Sequence, residues 1–110
     1  MPERRVEIAP AADRELEQLM TYSTNRWGIK QALAYIDQLH RAFRLFCSFP
    51  NLGAPKFEVA PDARRTVVGE HVIYYRVLPD RVRITHVIHA RQDPGQMQED
   101  LFDDEIAPPD

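Results

Sequence analysis

The stretch RRTVVGEHVIYYRVLPDRVRITHVIHA, residues 64–90, decides the fold. Apolar and polar residues alternate with a period of two through Arg64–Val68, His71–Leu78 and Arg81–Ala90, the pattern of half-buried strands. Gly69-Glu70 and Pro79-Asp80 interrupt it where hairpin turns belong, so the stretch reads as a three-stranded antiparallel meander. Gly69 suits the first position of a type II′ turn, which needs positive φ, and that register sets Arg65 opposite Tyr74. Proline cannot take positive φ, so Pro79 is expected second in a type I turn from Leu78 to Arg81. Val77 then pairs with Val82, Arg76 with Arg83, Tyr74 with Thr85 and Val72 with Val87.

The two faces of this meander differ in kind. One would hold Ile73, Tyr75, Val77, Val82, Ile84, His86, Ile88 and Ala90, a core set in which His86 is expected as a satisfied core histidine. The other would gather Arg65, Tyr74, Arg76, Arg83, His89 and Arg91. Two arginines directly across a strand pair repel. The arrangement persists more easily with an anion between them, although arginines on an exposed strand face can also be plain solvated surface.

Upstream, Val6 and Ile8 alternate with charged residues in a short first strand, and Pro10 opens a helix. Ala12, Leu16, Leu19, Met20 and Ser23 recur there at helical spacing. A break is expected at Asn25-Arg26-Trp27-Gly28. Ala32, Ile36, Leu39, Phe43 and Phe46 mark a second helix with one buried face. The breakers of Phe49–Pro55 make a loop, and Phe57–Val59 is a candidate short edge strand. The order β-α-α-β-β-β implies an α+β, two-layer domain, with a helical hairpin packed on one face of an antiparallel sheet.

The chain of 110 residues, 44% hydrophobic, is enough for one domain core. Its net charge of −3 is an average over two unlike parts. Six of the seventeen acids (Glu99, Asp100, Asp103, Asp104, Glu105 and Asp110) follow Gln98, where no base stands. The preceding residues therefore hold fourteen bases against eleven acids, a net of +3. A domain over residues 1–96 and an acidic tail over 97–110 are expected. No apolar run could span a bilayer, and the basic N-terminus lacks a following apolar segment, so a cytoplasmic protein is expected. The single Cys47, between Phe46 and Phe49, reads as a buried structural thiol. The four scattered histidines suggest no metal site.

The run Arg64-Arg65, Gly69, His71 through Val77, Val82, Ile84 and Val87 through Asp93 closely resembles the ParE branch of the RelE/ParE toxin superfamily. So do Ala11-Ala12-Asp13 with Leu16, Tyr22, Trp27-Gly28, Ala32, Tyr35 with Leu39, and Pro50 with Gly53. Together these cover roughly residues 4–93. The resemblance implies a RelE-like fold and the toxin of a type II toxin–antitoxin pair, held as a hetero-oligomer by a ParD-like antitoxin. ParE-like members are described as inhibitors of DNA gyrase, whereas RelE-like members cut messenger RNA on the ribosome. Cutting RNA through its 2′-hydroxyl needs an acid, a base and cations around the phosphate. This chain has no lysine after Lys56 and no tyrosine after Tyr75. A non-enzymatic gyrase-directed binder without cofactor or metal, and without direct nucleic-acid binding, is therefore expected. The alternatives are an endoribonuclease using Arg65, His89 and Arg91, or an inactive remnant that only binds antitoxin. Candidate antitoxin- or target-binding residues are Arg65, Tyr74, Arg76, Arg83, His89, Arg91 and Trp27, the last expected first as a packing anchor.

Overall fold

Ala9 ends the first strand, and Pro10, whose missing N–H goes unused at a first helical position, starts the first helix. The structure, a computed structural model, describes residues 4–93. The expected boundary at residue 96 and the acidic tail lie outside the described residues. Strand β1 (Arg5–Ile8) leads into α1 (Pro10–Trp27), which buries Ala12, Leu16, Leu19 and Ser23. Only Gly28 separates α1 from α2 (Ile29–Ser48), a tighter break than the four residues expected. Gly28 sits at φ 93, and its N–H caps α1 on the Thr24 carbonyl at 2.9 Å. That backbone conformation suits glycine and lets Asn25, Arg26 and Trp27 stay helical. The second helix buries Ala32, Leu39, Phe43, Phe46 and Cys47 along one face.

The helical hairpin covers one face of a sheet ordered β1-β5-β4-β3-β2, with β2 at Ala54–Pro55, β3 at Ala63–Val68, β4 at His71–Val77 and β5 at Arg81–His89. The two-layer α+β reading holds, and β3, β4 and β5 form the expected antiparallel meander. One edge differs: β1 runs parallel to β5, pairing Arg5–Ile8 with Arg81–Ile84. Leu16, Leu39, Phe43 and Phe46 meet Ile73, Tyr75, Val82 and Ile84 in the main core. No helix among the described residues is long and apolar enough to cross a membrane.

The edge strand expected at Phe57–Val59 is not there. Those residues turn, with the Val59 and Ala60 amides bonded to the Lys56 carbonyl at 2.9 and 3.3 Å. The edge is taken by Ala54–Pro55 opposite Arg65 and Arg64, where a proline is tolerated because an outer strand can spare an N–H. Gly53 precedes it because a Cβ there would stand 2.8 Å from the Tyr75 hydroxyl.

The hairpin registers hold near the turns and fail farther out. Arg65 opposes Tyr74 and Arg76 opposes Arg83, as expected, with Gly69 at φ 60. Between Tyr74 and Tyr75 the β4–β5 ladder shifts by one residue at a bulge. His86, not Thr85, pairs with Tyr74, and Ile88, not Val87, pairs with Val72. Thr85 is the extra residue, its hydroxyl donating to the Tyr74 carbonyl at 2.9 Å. One inserted residue exchanges the faces of everything after it. Val87 therefore joins the core under the helices, and Ile88 packs with Val72, Tyr74 and Val59 on the opposite face.

Candidate functional site

The face away from the helices carries Arg65, Tyr74, Arg76 and Arg83, and the chain's own carboxylates answer their charge. After β5 a 3₁₀ turn (Ala90–Gln92) brings Asp93 back onto this face, where it is 1% exposed. Its Oδ2 accepts from Arg65 Nε at 2.9 Å and Nη2 at 2.5 Å, and its Oδ1 accepts from the Tyr74 hydroxyl. Burial, and then the Asp93 carboxylate, push the Tyr74 phenol well above its usual pKa.

Arg76 forks onto Asp62 at 2.8 and 3.3 Å, and Arg83 reaches Glu7 at 3.5 Å. The anion expected between Arg76 and Arg83 is thus replaced by two acids, one for each arginine. These partly exposed pairs are screened by solvent, so they neutralise the two arginines without adding much stability. The Arg65–Asp93 pair is different, because its carboxylate has no contact with water.

His89 and Arg91 are not on that face, a direct consequence of the bulge. His89 opposes His71, their rings edge to face with centroids 5.3 Å apart, and the Arg91 amide donates to His89 Nδ1 at 3.1 Å. No hydrogen bond or ion pair among the described residues joins Arg65 to either of them. Arg65, paired with Tyr74, is on the outer face, whereas His89 and Arg91 line the groove beside α1, so the trio an RNA-cutting alternative would use does not share one face.

His89 and Arg91 instead line a half-open groove of about 440 Å³ between α1 and the end of β5, with Tyr22, Ser23 and Trp27 on the helix side. Trp27 is half-buried and packs edge-on against Tyr35, with centroids 6.4 Å apart, so the packing-anchor reading holds and the ring also faces the groove. His86 is buried and bonded to Glu15 at 3.2 Å, as a satisfied core histidine should be.

Sequence reasoning missed Asp93, Asp62 and Glu7 as partners of the arginine face, and His71, Tyr22 and Ser23 as groove residues. The signal for Asp93 was a lone acid just past a strand whose outer face was basic.

His71 gives this end of the molecule a pH dependence. Burial, and next the neighbouring His89, hold its pKa below 6.5, with the Glu70 charge acting the other way. The Tyr35 hydroxyl lies 2.7 Å from its Nδ1. The folded protein therefore binds a proton here less readily than the unfolded chain. The His71 contribution is complete above pH 6.5 and declines as the pH falls through that value. Thermal melts should show a lower Tm at pH 5 than at pH 7.5, and His71→Gln should flatten the difference.

Residues 6–94 match the family model described as ParE toxin of type II toxin-antitoxin system, parDE. The chain is 36% identical over 82 residues to Toxin ParE1 of Caulobacter vibrioides, covering 74% of this chain and 84% of that one. It is 31% identical over 87 residues to Toxin ParE1 of Mycobacterium tuberculosis, covering 78% and 89%. Its fold is similar to a chain of the chromosomal ParDE TA system from P. aeruginosa, with TM-score 0.67, 15% identity, and coverage of 79% of this chain and 96% of that one.

Proposed function

The chain belongs to the ParE toxin family of type II toxin–antitoxin systems, and from that premise we propose that it inhibits DNA gyrase by binding, in the cytoplasm, and is neutralised by a ParD-like antitoxin. The observation that carries the binding reading is the state of the arginine face. Arg65 and Tyr74, the cation and phenol available to a cleaved phosphate, are both committed to the buried Asp93. His89, a side chain of the type used in acid–base work, stands at the groove with His71 and not beside Arg65. A binder needs no convergence of acid, base and cation, and no cofactor. The resemblance to ParDE proteins supports a ParD-like partner.

Purified chain in gyrase supercoiling and cleavage assays tests this reading. Inhibition is expected, and relief when the antitoxin encoded beside the toxin is added. Growth arrest on expression with unaffected gyrase overturns it, and transcript cleavage in the arrested cells would point to the ribonuclease alternative. Harmless overexpression of the folded chain would favour the inactive remnant.

A further inference from the structure

We propose that the cavity between β1 and α2 binds a small phosphate-bearing anion of the diphosphate class, held by Arg4 and Arg44. The site shares no residue with the groove beside α1 or with the outer arginine face, and it rests on neither the gyrase nor the antitoxin reading.

Two elements supply the charge. Arg4 and Arg5 enter with β1, the outermost strand of the sheet, while His40 and Arg44 stand one turn apart on α2. Together with Val6 and Phe43 they line a cavity of about 390 Å³, room enough for a small ligand. Arg4 Nε donates to the Leu78 carbonyl at 2.7 Å, which fixes the guanidinium and leaves its terminal nitrogens for another partner. His40 is held edge-on to the buried Phe43 ring, with centroids 5.3 Å apart. Arg44 is exposed and makes no hydrogen bond or ion pair among the described residues. The backbone adds a donor. The Arg5 and Ala9 amides reach β5 on the Asp80 and Ile84 carbonyls, at 3.2 and 2.9 Å. Alternation along the strand therefore turns the Val6 N–H to the open side, where no further strand of the sheet stands.

Among the described residues no Asp or Glu lines this cavity. The outer sheet face is the contrast, since Asp93, Asp62 and Glu7 each answer an arginine there. Acids on the adjoining segments are already taken: Asp80 by Arg5 and Arg81, and Asp37 by Arg41. Like charges gathered around one cavity repel, and an anion between them turns that repulsion into attraction. Guanidinium forks match phosphate oxygens two at a time. A carboxylate offers only two oxygens in one plane, too few for two forks and an N–H arriving from different walls. A diphosphate presents oxygens in several directions, one group for Arg4 and Val6 and one for Arg44.

Calorimetry with the full chain and inorganic pyrophosphate at low ionic strength is the test, with amide chemical shifts read in parallel. Binding is expected, and the Val6 amide should be among the signals that move. Arg44→Gln and Arg4→Gln should each weaken binding about fivefold or more, and Arg44→Lys, which keeps the charge and loses the fork, should fall between. Arg14→Gln, exposed on α1 and outside the cavity, should bind as the unaltered chain does. Arg44 is an exposed helical position, so its variants should keep their thermal melt even where loss of the Leu78 contact unfolds Arg4→Gln. No binding of pyrophosphate, or binding that Arg44→Gln leaves unchanged, overturns the site. Displacement of pyrophosphate by acetate as readily as by inorganic phosphate overturns the phosphate assignment. A DNA duplex that binds more tightly than pyrophosphate, and loses that advantage in Arg44→Gln, overturns the small-ligand assignment in favour of a nucleic-acid backbone.

Discussion

Asp93→Ala should destabilise the protein by about 3 kcal/mol, because it strips one partner from a buried charged pair. Asp93 is 1% exposed, and among the described residues its carboxylate holds the Arg65 guanidinium and the Tyr74 hydroxyl. Tyr74 is itself buried, so its hydroxyl loses the Asp93 acceptor in a place water reaches poorly. Arg65 keeps 18% of its side chain exposed and can turn partly to solvent, which limits the loss. Asp93→Asn keeps an acceptor for the phenol and should recover part of the stability. Urea denaturation measures the change. A second readout isolates the contact from simple packing: without the carboxylate, the Tyr74 phenol should titrate nearer its usual value, since Asp93 is among the causes that raise it. An unchanged denaturation midpoint together with an unchanged phenol titration would mean that the pair does not hold this end of the chain.

Phe46→Ala should cost about 4 kcal/mol, a large share of the stability of a domain this size. Phe46 is buried and lies flat on Tyr75, with centroids 4.3 Å apart and planes within 6°. Such a stacked pair adds to plain area burial. Tyr75 in turn donates its hydroxyl to the Pro50 carbonyl at 2.8 Å and accepts the Gly53 amide at 2.8 Å. The cavity would therefore loosen the Tyr75 ring and, through its hydroxyl, the loop that carries β2. Denaturation should show the full loss, and hydrogen exchange at Gly53 should accelerate beyond the global change. Phe57→Ala is the contrast, since that ring is 71% exposed, and it should stay within about 0.5 kcal/mol.

Much of the fold was legible because local rules govern it. The spacing of Leu16 and Leu19, and of Leu39, Phe43 and Phe46, marks the buried faces of the two helices. Turn chemistry at Gly69 and Pro79 sets the pairings Arg65–Tyr74 and Arg76–Arg83, which lie within a few residues of those turns. The site was legible only in part. Arg65, Tyr74, Arg76 and Arg83 share a face as read, but His89 and Arg91 left it when the ladder slipped at Thr85.

That division has a physical reason. By itself the sequence determined the order of β1, the two helices and the three-stranded meander, the two layers, the core faces of the helices and the sign of the charge on the outer sheet face. Each follows from periodicity or from a turn residue acting on its immediate neighbours. Tertiary structure alone decided the bulge, which is flanked by the Glu15 carboxylate on His86 and Val87, brought there from 71 and 72 residues away. It also decided how the arginines are neutralised, because Asp93, Asp62 and Glu7 reach them across separations of 28, 14 and 76 residues. A basic face can be read from a strand pattern. Which acid sits on each arginine depends on where distant backbone arrives, and no local propensity carries that information.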